Sequence, residues 1–180
     1  MCGHGSPLNA ADKKALCSVL DAANELHWPE DRMATATPAY RVMLFNAAQP
    51  ITVITVDLPQ GAPGKLTVRQ LRGTHMIVNT TAKISAAQRK HIHNLAHNTG
   101  LWSQALNQDA PTAIGGGQQG FAPCQQSHYI VAEAMKPDHY HLSLAHCAPM
   151  KRLEDFAMGV YNIAAADVPA LTRELDTTLD

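Results

Sequence analysis

Two runs rich in β-branched and aromatic residues, Tyr40-Arg-Val-Met-Leu-Phe45 and Ile51-Thr-Val-Ile-Thr-Val-Asp-Leu58, constrain this chain most, and only Asn46-Ala-Ala-Gln-Pro50 separates them. Side chains branched at Cβ lose rotamer freedom in a helix and pack well on a pleated surface, so both runs read as strands. A turn at Gly61 to Gly64 leads into Lys65–Arg72, and Gly73 separates that run from His75–Asn79. Four strands joined by short turns make an antiparallel meander.

The flanking segments carry helical periodicity. Asn9 is placed to cap a helix from Ala10 to about Leu26, with Leu16, Val19, Leu20, Ala23 and Leu26 on one stripe and Pro29 ending the region. Ser85-Ala-Ala-Gln88 fits a capping box, which starts a helix at Ala86. Its stripe is Gln88, Ile92, Leu95, Ala96 and Thr99, and Gly100 is placed for a left-handed cap. Asn107 to Pro123 is polar and rich in Gly and Gln, a long loop. His128–Met135 and His139–Cys147 enclose Lys136-Pro-Asp138 as a second hairpin. Leu153, Phe156, Ala157, Val160 and Ile163 form an amphipathic stripe, and Asp167 could cap one more short helix.

The expected fold is therefore α+β: an antiparallel sheet of about six strands, a four-strand meander plus a second hairpin, with helices covering one side. Residues 1–180 make a single domain, long enough to bury its own core, with residues 1–8 as a flexible N-terminal tether.

Composition narrows the function classes. Fourteen Lys plus Arg against fifteen Asp plus Glu give a formal charge of −1, so no global positive field draws a nucleic acid. No apolar run approaches the roughly 18 to 20 residues of a membrane-spanning helix. Met1-Cys2-Gly3-His4-Gly5-Ser6-Pro7 lacks the basic and apolar regions of a signal peptide, which leaves two readings. Either the protein begins in a cytosol, or Cys2 is the lipidated first residue of a mature envelope lipoprotein and supplies its only membrane contact.

Ten histidines and four cysteines make a metal or redox centre the first chemistry to weigh. No CxxC occurs and no cysteine has zinc-finger spacing with the histidines. Cys124 and Cys147 flank the second hairpin and are the disulfide candidates, with buried thiols or a reactive cysteine of a hydrolase as the alternatives. His93 and His97 lie four apart on a helix, on the side away from its apolar stripe, and no Glu follows His93 as HExxH requires. His139 and His141 share one strand face and, with His128 from the neighbouring strand, form the candidate zinc set. The Gly115-Gly116-Gly117-Gln118-Gln119-Gly120 run spells GxGxxG but lacks the flanking strand and helix that a dinucleotide site needs. Glu133 sits mid-strand among apolar residues and alternates to the face of Tyr129 and Val131. That predicts a buried carboxylate paired with Arg41 or a histidine.

From Tyr40 to Ala164 the order of features resembles a broad group of bacterial predicted lipoproteins. It comprises a strand meander, Ile84-Ser85-Ala86-Ala87-Gln88, Leu101-Trp102, the Gly-rich loop, Glu133, Tyr140-His141, Pro149 and the Leu153–Ile163 helix. The chain departs from that group in its extra histidines and in His128-Tyr129 where Trp is usual. The resemblance implies an α+β fold and a location in the periplasm or on the outer membrane. Some small envelope lipoproteins of this type act as immunity proteins against delivered toxins. The expectation is a non-enzymatic protein-binding protein, an immunity factor or toxin inhibitor, without a cofactor, using the Gly115–Gly120 loop. The alternative is a histidine-based metal-binding protein using zinc.

Overall fold

The computed structural model describes residues 10–25, 27–28, 37–46, 50–102, 128–137, 139–146 and 150–171. In chain order they form α1 (Ala10–Ala22), β1 (Ala39–Asn46), β2 (Ile51–Asp57), β3 (Gly64–Arg72), β4 (His75–Ile84), α2 (Ala86–Asn98), β5 (His128–Lys136), β6 (His139–His146) and α3 (Lys151–Asp167). The six strands make one sheet in the order β4-β3-β2-β1-β5-β6, every neighbour antiparallel. The meander and the second hairpin join where β5 docks on β1, from Ala39 opposite Met135 to Asn46 opposite His128.

Strand alternation sorts the core into two layers. Tyr40, Val42, Leu44, Ile54, Val56, Leu66, Val68, Ala132 and Ala134 pack against Ile92 and Ala96 of α2 and against Leu153, Phe156, Ala157 and Val160 of α3. Met43, Val53, Leu71, Val131 and Leu142 project the other way and meet Leu16 and Leu20 of α1 and Ala23 in the turn that follows it. Helices therefore cover both sides of the sheet, and the expectation of helices on one side only is corrected. The physical reason lies in the central strands, where β2 is buried at consecutive positions from Thr52 to Val56. A strand buried on one face alternates, whereas one buried on both reads as an unbroken apolar run.

Local signals set most boundaries. Ser85 and Gln88 make both capping-box bonds, Gln88 N–H to Ser85 Oγ at 3.2 Å and Ser85 N–H to Gln88 Oε1 at 2.8 Å. Gly100 closes α2 at φ +68°, as its sequence position predicts. Gln88 also donates to Asp167 Oδ2 at 2.7 Å, which ties the start of α2 to the end of α3. Asp167 is thus the last residue of α3, and Val168 to Leu171 turn rather than begin a further helix. Gly159 lets the two helices approach, since a Cβ there would sit 2.6 Å from Leu95 Cδ1. β4 runs five residues past its expected end at Asn79, with one side of its tail exposed and the other half-buried.

α1 stops four residues before the expected Leu26. Asn24 adopts φ +52°, and the Glu25 N–H returns to the Leu20 carbonyl at 2.9 Å, closing the helix end. Asn is the residue after Gly that best tolerates this left-handed position, because its short amide bonds locally. Replacing Asn24 by Val should cost about 1–2 kcal/mol in urea unfolding, while Asn24→Gly should leave stability within about 0.5 kcal/mol.

Candidate functional site

The β1–β5 register sets Arg41 directly opposite Glu133, both on the α1 side of the sheet and both 0% exposed. Arg41 donates through Nε to Glu133 Oε2 at 2.6 Å and brings Nη2 to 2.5 Å from the same carboxylate oxygen. The Tyr140 hydroxyl of β6 donates to Glu133 Oε1 at 2.6 Å. The left-handed turn at Asn24 delivers Glu25 to the same place, where it bonds Arg69 of β3 and lies 3.6 Å from Arg41 Nη1. Trp28 stacks under the Arg41 guanidinium at 4.5 Å. Two guanidiniums and two carboxylates thus neutralise one another inside the fold.

Burial first, then the adjacent Glu133 charge and its hydrogen bond, push the Tyr140 phenol well above its ordinary range, so it stays a donor. Both oxygens of Glu133 are occupied by strong donors, which suits the carboxylate to hold strands together and not to abstract a proton. The sequence pattern foresaw this pairing of Glu133 with Arg41. It gave no sign of Glu25, Arg69 and Trp28, which reach the cluster from distant turns and strands.

A second group of chemistry-bearing residues gathers on the opposite side of the sheet, where the end of α2 meets the β5–β6 turn. Gly100 reverses the chain so that Leu101 is buried and Trp102 is left half-buried beside Tyr40, with ring centroids 5.9 Å apart. His139 lies 5.6 Å from the Trp102 ring, and Lys136 Nζ stands 4.8 Å over it. His93 closes the group from α2, its Nδ1 3.1 Å from the Tyr40 hydroxyl. Burial, then the positive Arg89, hold His93 below the ordinary imidazole range. A neutral ring keeps one nitrogen as donor and one as acceptor, so the hydroxyl and Nδ1 share one hydrogen bond. Burial raises the Tyr40 phenol, partly offset by its hydrogen bond with Trp102. His141 sits beside Ser143 with Nε2 2.9 Å from Oγ, and burial followed by the neighbouring His139 lowers its pKa.

This corner corrects the expected zinc set. His139 and His141 do share a face, but His139 pairs with Lys136 at the turn whereas His128 pairs with Asn46 at the far end of the hairpin. Eight residues of strand separate the two ends, about 25 Å at the usual rise, so His128 does not join the other two. Among the described residues no three His, Cys, Asp or Glu side chains converge as metal ligands. The histidine that joins His139 and His141 at this corner is His93, on the exposed flank of α2, while His97 stays exposed to solvent.

The lipidation candidate Cys2, the disulfide candidates Cys124 and Cys147, and the Gly115–Gly120 loop lie outside the described residues. Cys17 of α1 was not among the disulfide candidates, yet it is disulfide-bonded. With four cysteines in the chain its partner is Cys2, Cys124 or Cys147. A lipidated Cys2 and a Cys124–Cys147 bridge therefore exclude each other, since together they leave Cys17 no partner. Comparison with known protein families, characterised proteins and solved structures returned no match.

Two outcomes test these sites. Arg41→Met leaves Glu133 buried beside fewer positive charges and should cost about 3–5 kcal/mol in denaturant unfolding, most of it recovered in the Arg41→Met/Glu133→Leu double variant. His93 and His141 are held below their unfolded-state pKa, so the unfolded chain binds more protons. Their contribution is complete above about pH 6.5 and is lost as pH falls through the folded-state values. The thermal midpoint should drop between pH 7.5 and pH 5, and less so in the His93→Gln/His141→Gln variant.

Proposed function

We propose that this chain is a non-enzymatic protein-binding protein of the bacterial envelope, of the immunity or toxin-inhibitor kind, and that Trp102 and its neighbours anchor the partner. The observation that carries this reading is the stack of Lys136 over Trp102 with His139 and Tyr40 against the same ring. A half-buried aromatic side chain flanked by an exposed cation has the composition of an interface hot spot, in which a rigid ring is already oriented before the partner arrives. The Gly115–Gly120 segment, rich in glycine and glutamine, is the second element this reading assigns to the partner on its sequence alone.

The disulfide at Cys17 supports an extracytoplasmic location, because structural disulfides persist in oxidising compartments and are rare in reducing ones. Lipidation at Cys2 would give such a protein its membrane contact, and it requires Cys17 to pair with Cys124 or Cys147. No cofactor enters this reading.

The test is capture from an envelope or secreted-protein extract by the immobilised chain, run in parallel with a Lys136→Glu/His139→Ala variant. One protein retained in stoichiometric amount by the wild type, with affinity reduced at least about tenfold in a variant that melts normally, is the expected result. Equal retention by both forms would remove the corner from the account, and absence of any stoichiometric partner would remove the function.

A further inference from the structure

We propose that β4 pairs with β4 of a second copy of the chain, continuing the sheet across a twofold axis into a twelve-stranded dimer. β4 ends the sheet, with β3 on one side and no strand on the other among the described residues. Such an edge presents a row of main-chain donors and acceptors, and natural edges are commonly blunted by charges, prolines or bulges. Here the protection is partial. The register with β3 shifts between Gln70 opposite Val78 and Leu71 opposite Met76, so Ile77 is an extra residue and the strand is regular only from Val78 to Ile84. Over those seven residues, Val78-Asn-Thr-Thr-Ala-Lys-Ile84, the one charge is Lys83 and there is no proline.

The occupant follows from symmetry. A twofold axis normal to the sheet keeps like faces together and pairs residues whose numbers sum to an even value. Centring the axis on Thr81 uses every regular residue and leaves the bulge outside the ladder. Val78 then faces Ile84 and Thr80 faces Ala82 on the α2–α3 side, where Val78 and Ala82 already pack on the core. On the exposed side Asn79 faces Lys83 and Thr81 meets its own symmetry mate. Apolar residues meet apolar ones, hydroxyls meet hydroxyls, and no two like charges stand opposite each other.

An independent observation fits the same register. Met76 and Ile77 are the two exposed large apolar side chains among the described residues, at 36% and 48%. They lie just beyond the end of the ladder where the partner's β4 gives way to Ser85 and Ala86, small exposed residues at the start of its α2. The axis thus brings each copy's exposed apolar pair towards the other's small helix start. Because β4 and the β5–β6 hairpin occupy opposite edges of the sheet, the dimer leaves both Trp102 corners free. The inference stands apart from the proposed partner-binding function.

Charge placement at one position tests it. Sedimentation equilibrium on the full disulfide-bonded chain should show a reversible monomer–dimer equilibrium. Asn79→Lys, which sets a second cation against Lys83 of the other copy at two places, should weaken dimerisation about tenfold. Asn79→Glu at the same site should strengthen it by several fold. Thr81→Lys, at the axis, should abolish it. A chain that remains monomeric at high micromolar concentration overturns the proposal. So does a dimer whose dissociation constant ignores the sign of the charge at position 79.

Discussion

A guanidinium and a carboxylate taken wholly out of water are tolerable only when paired and hydrogen-bonded, and across the β1–β5 seam Arg41 engages Glu133 Oε2 while Tyr140 fills Oε1 and Glu25 approaches the far side of the guanidinium. The seam is also where the meander and the hairpin become one sheet. A one-residue slip would turn Glu133 to the opposite face, against Ile92 and Phe156, and leave Arg41 buried without its main partner. The pair therefore fixes register at the one junction that no short turn determines. α1 depends on the same centre, because Glu25 brings the end of that helix against Arg41 and Arg69.

The two sides of the sheet divide the labour. On the α1 side, charge is concentrated, neutralised and hidden, and its chemistry is spent on holding elements together. On the α2–α3 side the interior carries no buried charge among the described residues, its buried polar groups being neutral ones such as the hydrogen-bonded Thr52 and Gln70, and a cluster of polar and aromatic groups reaches the surface around Trp102. Cys17 adds a covalent tie to the thinner of the two layers, where a helix of thirteen residues contributes Leu16 and Leu20 to the core and Ala23 follows in the turn after it. A cross-link of this kind acts largely by limiting the unfolded chain, and its effect grows with the length of the loop it closes.

Much of this was legible where the deciding interaction is local. Ser85 and Gln88 announce their own cap, Gly100 its left-handed turn, and the alternation around Glu133 its burial. What escaped was non-local. The apolar stripe of α1 continues in sequence to Leu26, and nothing in that stripe reveals that Asn24 breaks the helix so that Glu25 reaches Arg69. The unbroken apolarity of Val42-Met43-Leu44 carries the information that helices lie on both sides, though the same run is equally legible as a strand buried on one. The histidines of the second hairpin are close in sequence but lie at both ends of its strands. Register separates the His128 end from the His139 end, and the third member of the corner comes from α2, fifty residues upstream in a different pattern.

The claim on which the rest leans is that Glu133, Arg41 and Glu25 act as one energetic unit joining β5, β1 and the end of α1. A double-mutant cycle with Glu25→Gln and Glu133→Gln, read by denaturant unfolding, addresses it directly. Each single variant leaves Arg41 one carboxylate, whereas the double variant leaves none. The double loss should therefore exceed the sum of the single losses by about 1 kcal/mol or more. Losses that add within about 0.3 kcal/mol would show two independent contacts and contradict the account.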